Sequence, residues 1–522
     1  MLLRYLKSYI YNSVAELRLL TFYHRKTMRK RRVYWTLFIT AFAWLASCSD
    51  DDINGSSGFN PNQPIEITEF YPDSGGIATP MIIEGRNFGT DTTGMKVYFE
   101  DVDGIRHPAG LVSSNGSRIY AFVPKGLTFK REMNILVERR TPDGQEYIGK
   151  APDQFLYKTQ TSVSTVAGLA SPDNNINTVG GDLATCTFSS PFYLCIDGED
   201  NIFVVDRKGD SGKDKQPNTT CRNEKGEGVN GNISMISIAS NSSIVLKYGT
   251  AYINAPAYSD EKDAEAVYIP DDAGMKYYDM QKLLNYVPRY RTVLKSEELS
   301  TVDENNWKHC FVINKLDHMI YTVMWKGQLV RINPKNRTAE ILLKKISNVA
   351  TGDGGKAGSD SYIAFSPIKG EENVLYVSLA DFHQIWRVDV SKITPEDKDT
   401  YNGESYAGKA IYEGVMNGKG WEDGLLKNAK FRHPRQICFT DDGKMYIADS
   451  GNSCIRVIDT TMPKERAAVT TPIGLPGAEG YKDGGPEIAK FHFPCGVAVN
   501  SDGTIVYVAD TQNKVIRKLS IE

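Results

Sequence analysis

The stretches FRHPRQICFTDDGKMYIADSGNSCIRVID (Phe431–Asp459) and FHFPCGVAVNSDGTIVYVADTQNKVIRKLS (Phe491–Ser520) follow one pattern. Each begins with Phe-x-x-Pro, passes through an apolar run to an Asp-Gly turn, and continues with Tyr-x-x-Asp, a short turn containing Asn, and Ile-Arg. The apolar runs have the length and turn boundaries of short β-strands. A unit that recurs at this spacing indicates a repeat architecture in which each copy is one supersecondary element. The two stretches therefore predict a repetitive all-β fold.

Weaker copies of the same pattern occur earlier in the chain. FSSPFYLCIDGEDNIFVVD begins at Phe188 and keeps most of the pattern. Three more divergent copies are AVYIPDD (Ala266–Asp272), HMIYTVMWKGQLVRI (His318–Ile332) and VLYVSLADFHQIWRV (Val374–Val388). The copies resemble NHL repeats, and six of them resemble a six-bladed NHL β-propeller spanning residues 159–522. The last two copies carry this resemblance most strongly.

Closure of such a ring needs a strand from outside the last repeat. Each unit offers three or four short strands that cannot bury both faces alone, so stacking around an axis buries them and leaves only short edges. The carboxy-terminal KVIRKLSIE supplies a third strand but leaves no residues for a fourth. We therefore expect SVSTVAG (Ser162–Gly168) to complete the last blade.

A second all-β region precedes the repeats, at residues 64–158. Short alternating runs such as PMIIEGRNFG, MKVYFED and MNILVERR, separated by turn residues, predict a β-sandwich. The region resembles an IPT/TIG immunoglobulin-like domain, most specifically in Pro72 with Gly75 and in the stretch Gly85–Gly89. We expect Phe88 to fill the core of the sandwich and the domain to act as a spacer. The predicted fold class is therefore all-β, an immunoglobulin-like β-sandwich followed by a six-bladed β-propeller.

The amino-terminal residues have the layout of an export signal. Four basic residues, Arg29–Arg32, precede an apolar run from Val33 to Ala46, which is shorter than the roughly twenty residues of a membrane-spanning helix. Residues 1–47 are predicted to be a leader and lipoprotein signal peptide, with Met28 as the true start. The alternative is a signal-anchor helix with an incidental cysteine.

Cys48 follows Leu-Ala-Ser and precedes three aspartates. This arrangement resembles a bacterial lipobox followed by the acidic export tag of Bacteroidetes-type surface lipoproteins. The resemblance implies a lipidated Cys48, an acidic tag and flexible linker over residues 48–63, and a lipid-anchored protein exposed on the outer membrane.

Charge and motifs favour binding over catalysis. The formal net charge of the chain is −3, which gives no electrostatic footprint for nucleic acid. Among patterns for catalysis, HExxH, GxSxG and the P-loop do not occur. Asp206, Asp449 and Asp510 recur at one repeat position, where we expect them to satisfy backbone groups. The sequence predicts neither a cofactor nor a metal site, although related rings include lyases and calcium-dependent lactonases.

Departures from the repeat indicate where a ligand could bind. Long insertions are expected between the second and third strands of the first two repeats, at Arg207–Asn232 and Asp272–Pro288, because loops of this length in compact domains are usually functional or disordered. Flat aromatic rings with polar neighbours suit sugar rings, and the alternative is that they pack between blades. Turns between second and third strands, and connections between blades, open on the same face of a propeller. The candidate ligand-binding residues on that face are Tyr277, Tyr278, Tyr286, Trp325, Phe382, His383 and Trp421.

These observations predict a cell-surface lipoprotein that binds a polysaccharide or oligosaccharide without cleaving it. The resemblance to surface lipoproteins of glycan-uptake systems implies an outer-membrane transporter complex as partner, besides the extracellular glycan and the membrane. Two alternatives remain open: a propeller lyase or hydrolase with a metal in its channel, and a protein-binding scaffold.

Overall fold

The computed structural model of this chain describes residues 58–76, 78–102, 104–124, 132–158, 161–171, 173, 175–209, 219–272, 274–294, 308–347, 360–399, 403–409 and 418–521. The predicted leader, Cys48 and the acidic tag lie outside these ranges. No helix in the described ranges is long and apolar enough to cross a membrane. Residues 61–522 form one compact unit, and the domain boundary at residues 158–159 stays a prediction.

The amino-terminal part of this unit consists of two sheets. Its strands are β1 (Glu66–Tyr71), β2 (Ser74–Gly75), β3 (Pro80–Gly89), β4 (Met95–Glu100), β5 (Arg106–Pro108), β6 (Gly110–Ser114), β7 (Gly116–Phe122), β8 (Glu132–Arg140) and β9 (Glu146–Tyr157). One sheet has the order β1-β3-β7-β6 and the other β2-β9-β8-β4-β5. Phe88 is completely buried. Gly85 is required beside it, because a Cβ there would collide with the backbone oxygen of Glu66 and with the Phe88 ring.

Strands also dominate the repeat region. They are β10 (Thr161–Ala167), β11 (Gly181–Asp182), β12 (Pro191–Ile196), β13 (Ile202–Arg207), β14 (Gly231–Ser237), β15 (Ser242–Lys247), β16 (Ala257–Ser259), β17 (Ala266–Pro270), β18 (Lys276–Gln281), β19 (Arg289–Thr292), β20 (Val312–Ile313), β21 (Ile320–Val323), β22 (Leu329–Asn333), β23 (Thr338–Leu343), β24 (Ser361–Phe365), β25 (Val374–Leu379), β26 (Gln384–Asp389), β27 (Glu404–Ala407), β28 (Gly424–Leu425), β29 (Pro434–Phe439), β30 (Lys444–Asp449), β31 (Cys454–Asp459), β32 (Ala468–Ile473), β33 (Pro494–Val499), β34 (Ile505–Asp510) and β35 (Val515–Ile521). Single 3₁₀ turns occur at Lys282–Leu284, Ala380–Phe382, Val390–Lys392, Pro395–Asp399, Ser450–Asn452 and Thr511–Asn513.

These strands form antiparallel sheets, which we number in chain order. Sheet 1 contains β12–β15 with β11 at its edge, and sheets 2, 3 and 4 contain β16–β19, β20–β23 and β24–β27. Sheet 5 contains β29–β32 with β28 at its edge, and sheet 6 contains β33–β35 and β10. The first strand of each sheet contacts the first strand of the next, in the cycle β12, β16, β20, β24, β29, β33 and back to β12. The all-β prediction is confirmed, and the sheets have a propeller-like arrangement.

The strand expected to complete the last sheet lies at Thr161–Ala167. It pairs antiparallel with β35, with Ser162 opposite Ser520 and Thr165 opposite Arg517. Val163 is buried in the apolar core that sheet 6 shares with sheet 5. The two ends of the repeat region are thereby joined in one sheet.

The predicted insertions in the first two repeats have different outcomes. In sheet 1 the connection is long, since β13 ends at Arg207 and β14 begins at Gly231. In sheet 2 the prediction of an inserted loop at Asp272–Pro288 is wrong. Residues Lys276–Gln281 form β18, which pairs with β17 on one side and β19 on the other. The divergent second repeat keeps Tyr-x-x-Asp at Tyr268–Asp271, but the short turn with Asn and the Ile-Arg mark do not follow it, so its third strand was not recognisable as part of the pattern.

Sheets 5 and 6 each bury one aspartate and one arginine from the repeat pattern. Arg456 donates to Asp449 Oδ2 at 2.8 Å in sheet 5, and Arg517 donates to Asp510 Oδ2 at 2.7 Å in sheet 6. Both arginines are fully buried. They also donate to backbone oxygens of the connection that enters the sheet, such as that of Glu422 at 2.9 Å from Arg456. The pairs therefore tie each connection to its sheet.

Sheet 1 keeps the aspartate but lacks the arginine. Its register places Ser234 opposite Val204, at the position where Arg456 lies opposite Ile447 in sheet 5. Asp206 instead accepts hydrogen bonds from the hydroxyls of Thr178 and, at 3.5 Å, Ser189. Burial raises the pKa of the Asp206 carboxyl to about 6, against the opposing effect of these hydrogen bonds.

Removing the closing strand should destabilise the repeat region. A chain lacking residues 49–157 keeps β10, whereas one lacking residues 49–168 exposes the edge of β35 and the pocket that Val163 fills. Loss of one buried valine side chain alone corresponds to about 2 kcal/mol, and we expect the melting temperature of the shorter chain to be about 5 °C lower or more. Calorimetry of both truncations measures this difference. Equal melting temperatures would show that the pairing of β10 with β35 contributes little.

The Asp206 carboxyl should make stability depend on pH. Its folded-state pKa of about 6 lies above the unfolded value of about 3.9, so the folded state binds more protons between these values and stability falls as pH rises through the interval. The loss between pH 4 and 6.5 is about 2 kcal/mol. Urea unfolding should show this loss for the native chain, a flatter profile for Asp206→Asn, and no change of slope for the exposed control Asp441→Asn. Parallel profiles for the native chain and Asp206→Asn would contradict the assignment.

Candidate ligand-binding face

One end of the six sheets gathers two kinds of connection. Strands within each sheet alternate in direction, so the link between the second and third strands leaves at the same end as the link to the next sheet. The first strand of every sheet also begins at this end. We call it the ligand-binding face, and it is the face on which the sequence placed its candidate residues.

Three of those candidates lie in the core. Tyr277, Tyr278 and Tyr286 are 1%, 5% and 6% exposed. The Tyr277 ring packs edge-on against Phe311 at a centroid distance of 6.1 Å. Tyr286 donates its hydroxyl to Asp197 Oδ2 at 2.7 Å. The interpretation of these rings as exposed loop residues is corrected, because β18 and its neighbours turn them inward, where none offers a free face for stacking on a sugar.

The other candidates are spread over three sheets. Trp325 is half-buried in the turn between β21 and β22, and Phe382 is half-buried at the end of a 3₁₀ turn after β25. His383 is 1% exposed. Trp421 is 48% exposed and donates its indole N–H to the Thr471 hydroxyl at 3.0 Å. Since Thr471 lies on β32, the outer strand of sheet 5, Trp421 does not share a site with Trp325 of sheet 3.

Five polar side chains that the sequence did not single out meet at the start of the first strands. We call Tyr193, His309, Asp360, Tyr362 and Arg435 the inner polar cluster. The Tyr193 and Tyr362 hydroxyls lie 2.6 Å apart, and Arg435 Nη1 donates to them at 3.1 Å and 2.9 Å. Asp360 lies between the two basic groups, with Oδ2 3.9 Å from Arg435 Nη2 and Oδ1 3.3 Å from His309 Nε2.

The inner polar cluster is buried except at Asp360. The Asp360 side chain is 18% exposed, whereas those of Arg435 and His309 are 2% and 5% exposed. Burial raises the pKa of both tyrosine hydroxyls, although Arg435 opposes this effect, so both phenols are neutral near pH 7. Neither ring nitrogen of His309 has a hydrogen-bond partner among the described residues, and both are buried. A buried polar atom without a partner costs about 1–3 kcal/mol, so its retention requires an explanation.

A filled centre lies beneath this cluster. The Gln436 side chain accepts a hydrogen bond from the backbone N–H of Leu194 at 3.1 Å and donates to its carbonyl oxygen at 2.6 Å. It thus joins sheet 5 to sheet 1 past sheet 6. Gly496 of β33 permits this approach, since a Cβ there would lie 2.6 Å from the Phe192 oxygen and 3.0 Å from Gln436 Oε1. A ligand entering from the face therefore meets a floor of side chains.

A second polar group lies where sheets 4 and 5 meet on the same face. The His433 backbone N–H donates to His383 Nδ1 at 3.1 Å, so that nitrogen is an unprotonated acceptor. The two rings stand nearly perpendicular, with centroids 4.7 Å apart, and Asp381 Oδ1 lies 4.0 Å from His433 Nδ1. In the described part of the chain, no group of three or more His, Cys, Asp or Glu side chains is placed to hold a metal ion.

Comparison with known proteins identifies the repeat. A family model for the NHL repeat matches residues 431–458. Residues 431–458 are an NHL repeat. Short segments also resemble the protein SUPPRESSOR OF QUENCHING 1, chloroplastic, of Arabidopsis thaliana (32% identity over 102 residues, 20% of this chain and 9% of that protein). A second relative is NHL repeat-containing protein 2 of Gallus gallus (36% identity over 101 residues, 19% of this chain and 13% of that protein). The chain therefore spans only about a tenth of the length of these curated relatives.

Solved structures share the fold over most of the chain. A Bacteroides thetaiotaomicron protein of unknown function has 21% identity and a TM-score of 0.60, covering 89% of this chain and 100% of that one. A protein named auxiliary nutrient binding protein from Bacteroides ovatus has 19% identity and a TM-score of 0.55, covering 89% of this chain and 100% of that one. A protein of the same name from Bacteroides thetaiotaomicron has 21% identity and a TM-score of 0.52, covering 90% of this chain and 100% of that one. At these identities the likeness establishes a common fold.

The NHL repeat contains a signal that would have located two residues of the inner polar cluster, Tyr193 and Arg435. The proline of Phe-x-x-Pro opens the first strand, and the two residues after it vary among the sheets. They are Phe192 and Tyr193 in sheet 1, Arg435 and Gln436 in sheet 5, and Cys495 and Gly496 in sheet 6. Variation at these two positions, within an otherwise regular pattern, marks residues that the pattern itself does not require.

Proposed function

We propose that this protein binds an extracellular nutrient at the inner polar cluster, and that the nutrient is a polysaccharide or oligosaccharide held without bond cleavage. The observation that carries the proposal is the partly exposed Asp360 carboxylate, held between Arg435 and His309 in the inner polar cluster. Sugar hydroxyls donate hydrogen bonds, so a hydroxyl of a bound sugar can donate to this carboxylate. The names of the auxiliary nutrient binding proteins that share this fold support the same class of function.

Trp325 gives this site an apolar wall. The residue before it, Met324, forms an isolated antiparallel β-bridge with Lys308, and Lys308 directly precedes His309 in the chain. The half-buried indole therefore lies beside the strand that carries the imidazole. An aromatic ring next to hydrogen-bonding groups suits the apolar face and the hydroxyls of a sugar.

The proposed architecture is a six-bladed β-propeller at residues 159–522, preceded by an immunoglobulin-like domain at residues 64–158. The cycle of contacts among the first strands and the pairing of β10 with β35 support the blade count. We also propose that residues 1–47 are removed and that a lipidated Cys48 anchors the protein on the outer membrane, exposed to the outside. There it would pass its glycan to a transporter complex, a proposal supported by the lipobox-like sequence and the acidic tag.

Substitutions in the site should weaken glycan binding. Aromatic anchors in binding sites carry about 2 kcal/mol each, which is about thirty-fold in affinity. Trp325→Ala should therefore reduce the retardation of the protein in affinity gels that contain plant, host or microbial polysaccharides, while its melting temperature stays nearly unchanged. Asp360→Asn should also reduce the retardation, with a lower melting temperature because the buried Arg435 loses its carboxylate partner. Trp421→Ala serves as the matched control on a different sheet.

The gel series separates the possible failures. A panel that retards neither the native chain nor any variant would refute glycan binding. Retardation that Trp421→Ala weakens and Trp325→Ala leaves intact would move the site to the connection between sheets 4 and 5.

Anchoring is tested with Cys48→Ala in the full chain. The substitution removes the only thiol that the lipobox-like sequence offers for lipidation, so we expect the variant to leave the membrane fraction or to accumulate as an unprocessed precursor. Membrane fractionation and mass spectrometry of the mature amino terminus check this. Normal processing with unchanged membrane association would contradict the lipid anchor.

A further inference from the structure

The long connection of sheet 1 carries a hairpin on the ligand-binding face. From Thr219 to Asn230 the chain forms two short antiparallel arms, joined by an isolated β-bridge between Arg222 and Gly228. The backbone N–H of Lys208 donates to the Asn230 oxygen at 3.0 Å, which ties the hairpin to the end of β13. These segments enclose a concavity of about 310 Å³ lined by Lys208, Thr220, Cys221, Arg222, Gly228, Val229 and Asn230.

The hairpin is held rigidly by the groups that replace the missing arginine of sheet 1. The Arg222 backbone N–H donates to the Ser189 hydroxyl at 3.1 Å. The Arg222 carbonyl oxygen accepts from the Asn232 side chain at 3.0 Å and from the Thr178 backbone at 3.2 Å. Because Ser189 and Thr178 also bond the buried Asp206, the wall of the concavity is fixed to the core of the sheet. Such preorganisation is what a binding site requires.

The guanidinium of Arg222 is fixed as well. Nη1 donates to the Gly226 oxygen at 2.7 Å, and Nη2 donates to Asn175 Oδ1 at 2.9 Å. Both partners are uncharged, so the positive charge of Arg222 is not neutralised by them. The guanidinium therefore contributes a fixed positive potential to the wall of the concavity.

The described residues that line the concavity include two basic side chains, Lys208 and Arg222, and no carboxylate. Burial raises the pKa of the Cys221 thiol well above its usual range, so this group is neutral. Lys208 is exposed at the rim, and a Cβ added to Gly228 would meet open space.

We propose that this concavity binds the carboxylate-bearing unit of an acidic sugar, a hexuronate, with Lys208 at the rim as the charged contact. The inference rests on the proposed function and specifies the class of glycan. The volume lies at the lower end of the roughly 300–1,000 Å³ typical of small-molecule sites, which suits one sugar ring rather than a chain. The exposed backbone around Gly228 supplies partners for ring hydroxyls.

Calorimetric titration of the full mature chain with D-glucuronate and D-glucose tests the proposal, because the two sugars differ only in the oxidation of C6. We expect glucuronate to bind at least tenfold more tightly at low ionic strength, and this preference to shrink at high salt, since exposed charges are screened. Lys208→Gln should reduce the preference to threefold or less. Lys225→Gln, which removes an equally exposed lysine from the tip of the same hairpin outside the concavity, should leave the preference unchanged. Equal affinity for the two sugars, or a preference that survives Lys208→Gln, would overturn the proposal.

Two further measurements test which anionic group is bound and whether it binds in the concavity. D-glucose 6-sulfate should bind less tightly than glucuronate, and an equal or higher affinity would overturn the assignment to a carboxylate. Gly228→Leu fills the concavity without a backbone clash and should abolish glucuronate binding at an unchanged melting temperature. Unimpaired glucuronate binding by this variant would place the anion elsewhere and refute the site.

Failure of the hexuronate proposal can be distinguished from failure of glycan binding at the inner polar cluster. Gly228→Leu should still be retarded by neutral polysaccharides through the inner polar cluster, whereas Trp325→Ala should lose that retardation and keep the glucuronate preference. Loss of neutral binding alone would refute the inner polar cluster as a glycan site and leave the concavity standing. Loss of the glucuronate preference in the native chain, with neutral binding intact, would refute the concavity alone.

Discussion

Ring closure is the constraint on which the repeat region depends. A short antiparallel sheet with two apolar faces is stable only when neighbouring sheets cover both. Each sheet gains two neighbours only if the last one reaches the first, and the strand Thr161–Ala167 completes sheet 6 by pairing with β35. The chain thus uses its own beginning to close its end, which leaves short outer strands as the exposed edges of the ring.

The buried Asp–Arg pairs hold the connections of the repeat, and sheet 1 compensates for the loss of one of them. Burying an ion pair gains little net stability compared with apolar packing, but removing one partner leaves a costly buried charge. Sheet 1 has Ser234 where sheets 5 and 6 have arginine, and Oδ2 of Asp206 accepts instead from the hydroxyls of Thr178 and Ser189. The same two residues hold the inserted hairpin, Ser189 through its hydroxyl and Thr178 through its backbone N–H. The loss of one structural arginine and the gain of a preorganised concavity are therefore two aspects of one local change.

The regular part of the sequence predicted the fold, and the irregular part limited the prediction of the site. Phe431–Asp459 and Phe491–Ser520 were sufficient to predict the closing strand, because their shared marks align the strands and show that the last copy has only three. The second repeat, in contrast, keeps Tyr-x-x-Asp but lacks the Ile-Arg mark on its third strand, so that strand resembled an aromatic loop and Tyr277 was expected at the surface. In a strand, burial alternates with the register and is decided by pairing partners distant in the chain, which one sequence does not reveal.

The inner polar cluster was missed for a related reason. His309, Asp360 and Arg435 are separated by 51 and 75 positions in the chain, and only the packing of first strands around the centre brings them together. A centre selected for stability alone would contain apolar side chains of similar volume, as much of the surrounding core does. This one contains an arginine, two tyrosine hydroxyls and an imidazole nitrogen without a partner, above a floor formed by Gln436 and Gly496. The floor would confine a ligand to one face, and the buried arginine and imidazole beside a partly exposed carboxylate are a combination that stability alone does not explain.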